Sequence, residues 1–337
     1  MADPRAYNVT SRGQVSQPPS KAHQSSTRHP DGHMKGLFGS PPPAQAPLPR
    51  MDTLGMGASA CILAGAALCV YNANRSDSLP TSGLMYQIAG FLINLGSVSL
   101  PGRFDSDVNP ESMVFPWPTL VSPAGFAFAI WGVIYLGELV GLVVLASNKD
   151  LATDAAPASK AWFFANVAQA LWCFSFRPWA LSRLWLSSAC LAATAASLYA
   201  SQCLLVSVDG AERHGAALWA AVAWPRSLHT GWVTAAMLVN LNAWAGKSAI
   251  GPSRALAAAV LSLMDAVYLS DRYASSGLSC AGVAIAWALF AVSFGKPNGA
   301  DAVALGQPAL DGLAITSGAT AMLAVGAIVL RRAGLTL

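Results

Sequence analysis

The chain has 337 residues, of which 54% are hydrophobic and only 11% charged, and its mean hydropathy is +0.46. Soluble domains carry about 25% charged residues, so this balance excludes an ordinary soluble domain and reads as a multi-pass protein whose main partner is membrane lipid. The net charge of +4 is small, and no basic stripe interleaved with aromatics crosses the hydrophobic region, so nucleic acid is not an expected partner.

Residues 1–50 are rich in Ser, Pro, Gln and His, with Asp3 and Asp31 against Arg5, Arg12, Lys21, Arg28, Lys35 and Arg50. Such a segment buries too little apolar surface to offset its ordering entropy and reads as a disordered tail. A basic, Ser-rich, acid-poor composition fits a plastid or mitochondrial targeting segment and fits a cytosolic tail equally well. Residues 51–83 follow, and their run 53–71 reads as an extra spanning helix or part of a targeting signal.

From residue 84 onward, apolar runs recur at 84–100, 120–146, 161–176, 184–207, 216–245, 255–270, 278–295 and 311–330. Most reach the roughly 17–25 residues that cross a bilayer as a helix. The breaks carry turn chemistry: Pro101-Gly102, Asn148-Lys149-Asp150, Arg177-Pro178, Asp209-Gly210, Gly251-Pro252 and Lys296-Pro297-Asn298-Gly299. No strand alternation is visible, so the expected fold is an all-α bundle of transmembrane helices. If 53–71 spans, the tail lies on the same side as Arg103, Arg177, Arg183, Lys247, Arg254 and Lys296, a bias that marks the cytoplasmic side or its organellar equivalent.

Cys61, Cys69, Cys173, Cys190, Cys203 and Cys280 form no CxxC pair and read as packing residues. The chain has no P-loop, GxSxG or HExxH and no paired Cys/His spacing, so no enzyme activity and no required cofactor or metal is expected.

Three runs carry patterned faces. Phe128, Trp131, Tyr135 and Glu138 are spaced i, i+3, i+7, i+10 and share one helical face. An ionisable residue inside a span faces a cavity or a partner. Gly137 and Gly141 form a GxxxG that lets a second helix approach. In the next helix Trp162, Asn166, Gln169, Cys173 and Phe176 align, with Trp172 at the edge. The amides there serve either interhelical hydrogen bonds or a ligand. In the fifth run His229, Trp232, Ala236 and Asn240 align, with Trp244 one turn beyond and Arg226 one turn before. Pro225 is placed to kink that helix and free a carbonyl. His229 could ligate a haem or chlorin metal, or hydrogen-bond a carboxylate. Arg226 could pair with Glu138 or Asp265, or sit near the membrane surface. Of the 11 tryptophans, Trp117, Trp162, Trp179, Trp185 and Trp244 suit an interfacial belt, whereas Trp131 and Trp232 lie deeper.

The blocks SPAGFAFAIWGVIYLGEL (122–139), NVAQALWCFSF (166–176) and PRSLHTGWVTAAMLVNLNAW (225–244), in this order, resemble the TspO/MBR-related family, the tryptophan-rich sensory or translocator proteins, and most nearly its longer branch. The resemblance covers about 84–245, extends more loosely to 295, and implies a five-helix membrane core in the first of these, with the helices of 246–337 as additions. It implies binding of a porphyrin or other tetrapyrrole, or a sterol, for sensing, sequestration or transport, and a homodimer is a known option for such proteins. Position by position, it implies a pocket of Trp131, Tyr135, Asn166, Trp172, Trp232 and Asn240, capped by a loop holding Trp117 and Pro118. Glu138 and His229 join the candidate site from the residue reading. His229 stands where the family has a tyrosine, and Arg226 replaces an apolar or aromatic residue. These ionisable groups leave open a proton- or ion-coupled transporter, and a structural subunit of a membrane assembly is a third reading.

Overall fold

The computed structural model describes residues 53–104, 119–206, 215–247 and 251–334. The first long helix is α1, Thr53–Arg75, followed by α2, Leu79–Val98. They run antiparallel: Ser82 donates to the carbonyl of Ala73 at one end, and Gly96 meets Ile62 and Leu63 at the other. A 3-10 turn at Gly125–Ala129 leads into α3, Ile130–Ser147. The predicted break at Asn148 is a helix cap: its side chain accepts from the Leu151 N–H (3.1 Å) and starts α4, Lys149–Ala155. Then come α5, Ser159–Ser175, and α6, Trp185–Val206, separated by a 3-10 segment at Pro178–Arg183.

The expected kink at Pro225 takes the form of a π-helical turn, Trp219–Ala223, directly before α7, Trp224–Lys247. Proline has no N–H to offer the carbonyl four residues back, which is that of Ala221, and this carbonyl lies against Gly141 of α3. The remaining helices are α8, Pro252–Ser275; α9, Ser279–Val292; the short α10, Ala300–Leu305; and α11, Gln307–Arg332. Gly299 and Gly306 start α10 and α11 with φ of 97° and 74°, a backbone that favours glycine. No strand occurs among the described residues; one isolated bridge joins Thr119 to Asn298.

The order of contact is a ring. α2 packs on α5, α5 on α6, α6 on α7, α7 on α3, and α3 returns to α2. These are the five helices of the expected core. α1 covers α2 from outside; α8, α9 and α11 pack together, with α8 and α9 against α7. Leu48–Leu337 form one compact unit, so the later helices continue the core without a separate body. Close approach at the α7–α9 seam depends on Gly231, where a Cβ would lie 2.1 Å from the Ala281 carbonyl oxygen.

Among the described residues, five helices are long and apolar enough to cross a membrane: Gly57–Arg75, Gly125–Ser147, Trp185–Leu205, Pro252–Ser275 and Gln307–Arg332. The 53–71 run therefore belongs to a helix of spanning length, and the short 255–270 run extends to a full span. On α3 the two faces separate as read. Val133, Leu136, Val140 and Val143 are exposed, whereas Glu138 and Leu142 are buried and Trp131 and Tyr135 half-buried. All six cysteines are free.

Candidate functional site

The polar side chains of α2, α3, α5 and α7 point into the ring and find one another. Glu138 on α3 meets His229 on α7, with Oε1 2.8 Å from Nδ1 and both side chains at most 1% exposed. The other ring nitrogen of His229, Nε2, lies 2.5 Å from Oε1 of Gln169 on α5. Both imidazole nitrogens are thus occupied by side chains, so His229 is a hydrogen-bonding residue here and offers no nitrogen to a haem or chlorin metal. No group of three or more His, Cys, Asp or Glu side chains among the described residues could hold a metal ion.

One turn earlier on α7, buried Arg226 donates from Nη2 to Gln87 of α2, whose amide donates in turn to Ser159 of α5 (2.8 Å). The guanidinium also sits over the Trp162 ring, 4.6 Å from its centroid. Burial of this cation is offset by an aromatic face, an amide oxygen and the nearby carboxylate of Glu138. Arg226 is therefore buried inside the bundle and not paired with Asp265, which is exposed on α8. Trp162, expected at the interface, is 1% exposed. The need for an aromatic surface beneath a buried guanidinium places it in the core.

Towards the other end of the ring, Asn94 of α2 donates to Asn166 of α5 (2.9 Å) and accepts from the Tyr135 hydroxyl (3.2 Å). Asn166 also donates to the Trp162 carbonyl. Asn240 of α7 accepts from Ser187 of α6 (2.7 Å). Interhelical hydrogen bonds of this kind contribute about 0.6 kcal/mol on average and up to about 1.7. Ser187→Ala is expected to cost about 1 kcal/mol and to leave the fold intact, measured as the unfolding free energy in detergent. A loss above about 3 kcal/mol would give this bond a larger role than a neutral pair can have.

Trp131 is stacked on Tyr135 at 5.3 Å and 20°, and its edge meets the His229 ring at 5.4 Å. Trp131, Tyr135, Leu95, Cys190, Ala236 and Met237 are partly buried and pack, from α2, α3, α6 and α7, against one cluster that includes Phe91, Trp172 and Val233. Trp232 lies elsewhere. It packs edge-on against Phe128 (5.5 Å) and joins Ala284 and Ala288 of α9, with Trp131 at 6.4 Å bridging the two groups. Trp117 and Pro118 fall outside the described residues.

The profile of the TSPO-like protein family matches residues 88–330. The chain belongs to that family. The match begins inside α2 and ends inside α11, so in this TSPO-like protein it takes in α8, α9 and most of α11 as well as nearly all of the 84–245 segment. No curated relative and no solved structure matches the chain. Family and helices together make it an integral, multi-pass membrane protein.

Of the expected site, Tyr135, Glu138, Asn166, His229 and Trp131 meet in one connected group, Asn240 and Trp172 line the same ring further along, and Trp232 faces α3 and α9. The residue reading missed Gln87, Asn94, Ser159 and Ser187. Gln87 and Asn94 are seven residues apart in a run of spanning length, and that spacing of two amides on one face is the signal that marks them.

Proposed function

We propose that this TSPO-like protein binds a flat hydrophobic ligand, a tetrapyrrole or a sterol, inside the ring of α2, α3, α5, α6 and α7, for sensing, sequestration or transport. The observation that carries this reading is the stacked Trp131–Tyr135 pair on the inward face of α3, only partly buried in a membrane helix whose outward face is aliphatic. Stacked rings already present a surface of the shape and polarity that a planar ligand needs. Trp172 adds a polar handle: its indole N–H is buried in the same cluster without a hydrogen-bond partner. Binding would shift a population of bundle conformations; the reading requires no turnover.

Protoporphyrin IX added to the purified protein is expected to quench tryptophan fluorescence saturably. Trp131→Ala should weaken binding by at least about tenfold, or 1.4 kcal/mol, while Trp244→Ala, at an exposed position, should not. Equal affinities for the wild type and the Trp131 variant would remove the ligand from this site.

A further inference from the structure

His229 fixes a proton count. Its Nε2 faces an amide oxygen, Gln169 Oε1, which only accepts, so Nε2 carries a hydrogen. One more proton then lies between Nδ1 and Glu138 Oε1, held as imidazolium and carboxylate or as imidazole and carboxylic acid. Either way the pair holds one proton more than a neutral imidazole beside a carboxylate. The amide nitrogen of Gln169 is buried and has no hydrogen-bond partner. A half-turn of that amide presents an N–H to Nε2 instead. His229 then keeps its hydrogen on Nδ1 and donates it to the Glu138 carboxylate. Both arrangements complete the hydrogen bonds of the imidazole, and they differ by one proton.

The charges around the pair give the sign. α7 contributes Arg226 and α3 contributes Tyr135 one turn away; the facing residues of α2 are Gln87 and Asn94, those of α5 are Asn166 and Gln169, and α6 and the π turn present no charged group there. Arg226 and Glu138 sum to zero without the extra proton and to +1 with it. A net charge inside a bundle is costly, and a negative group entering the ring cancels it. A second feature leads to the same carboxylate. Glu138 Oε2 and Arg226 Nη1 are buried without partners, and the two residues line one cavity of about 10 Å³ together with Gly141, Ala221 and Pro225. That is about the room one water needs to bridge the two groups.

We propose that the Gln169–His229–Glu138 line is a site for one exchangeable proton, and that a carboxylate-bearing ligand bound in the ring draws that proton in with it. The second half rests on the ligand reading above. Trp131 connects the two, since its ring meets His229 on one side and stacks on Tyr135 on the other.

Titration calorimetry of the full chain in lipid nanodiscs with protoporphyrin IX, in buffers of different ionisation enthalpy and at a pH where the ligand-free pair lacks the extra proton, is expected to show about one proton taken up per porphyrin. Affinity should then rise up to about tenfold for each unit of falling pH. The porphyrin dimethyl ester, which has no carboxylate, should bind with no uptake. Glu138→Gln and His229→Gln should each abolish the uptake. Porphyrin binding without uptake in the wild type, or uptake persisting in both variants, overturns the coupling. The proton site is read separately by infrared difference spectra of the ligand-free wild type stepped between about pH 4 and 9. A carboxylic acid or imidazolium band that is absent from Glu138→Gln supports the site, and a spectrum with no such change overturns it. If neither porphyrin nor ester binds while the band titrates, the ligand reading and the coupling fall and the proton site stands.

Discussion

Glu138→Ala is expected to cost about 3–5 kcal/mol, the range for breaking a buried ion pair from one side. Glu138 is the carboxylate closest to two buried cationic or hydrogen-bonding partners, His229 at 2.8 Å and Arg226 across the small cavity. Its removal leaves the guanidinium among Trp162, Gln87 and apolar side chains with no compensating charge. The loss comes from the stranded cation, since a buried pair itself contributes little net stability. Replacing the whole group, Glu138→Leu with His229→Leu and Arg226→Met, should therefore be milder than the single change. Unfolding free energies of the single and triple variants in one detergent settle the matter: a triple variant less stable than Glu138→Ala refutes the argument, as does a single variant within about 1 kcal/mol of wild type.

Gly141→Leu is expected to be comparably damaging for a steric reason. A Cβ at Gly141 would lie 2.2 Å from the carbonyl oxygen of Ala221, and that oxygen is backbone held in the π turn before Pro225. It cannot swing aside as a side chain would. The seam between α3 and α7 must open, which carries a typical overpacking cost of about 1–3 kcal/mol and pulls Glu138 away from His229 as well. Gly132→Ala is the matched control. It stands on the same helix with nothing within 4 Å of its Cβ, so it should be neutral or gain up to about 1 kcal/mol of helix propensity. Thermal midpoints of the two variants should differ in sign or by several degrees; equal midpoints would mean that α3 and α7 do not meet at Gly141.

The Gly137–Gly141 contact was legible because a GxxxG states a spacing and a size, and both survive folding unchanged. The inward faces of α3, α5 and α7 were legible for a similar reason: polar groups that cannot face lipid align at helical period. Partner identity was not. His229 could face a metal or a carboxylate from sequence, and only the approach of α3 decides for Glu138. Trp162 and Trp232 show the limit of reading depth from position in a run. Trp162 stands near a helix start, yet Arg226 draws it into the core; Trp232 stands deep, yet α9 takes it to a second cluster. The capped helix α4 and the π turn also escaped, since each is too short to leave a periodic signature.

The polarity of the inner helices has a consequence for biogenesis. α2, α5 and α7 carry most of the buried network, and none of the three is among the helices long and apolar enough to span alone. A helix bearing Gln87 and Asn94, or Arg226, His229 and Asn240, pays heavily to enter hydrocarbon before its partners arrive. Such segments are expected to enter the bilayer together with an apolar neighbour such as α1, α3 or α6. The network that closes the finished ring thereby favours an assembly in which apolar helices carry the polar ones in.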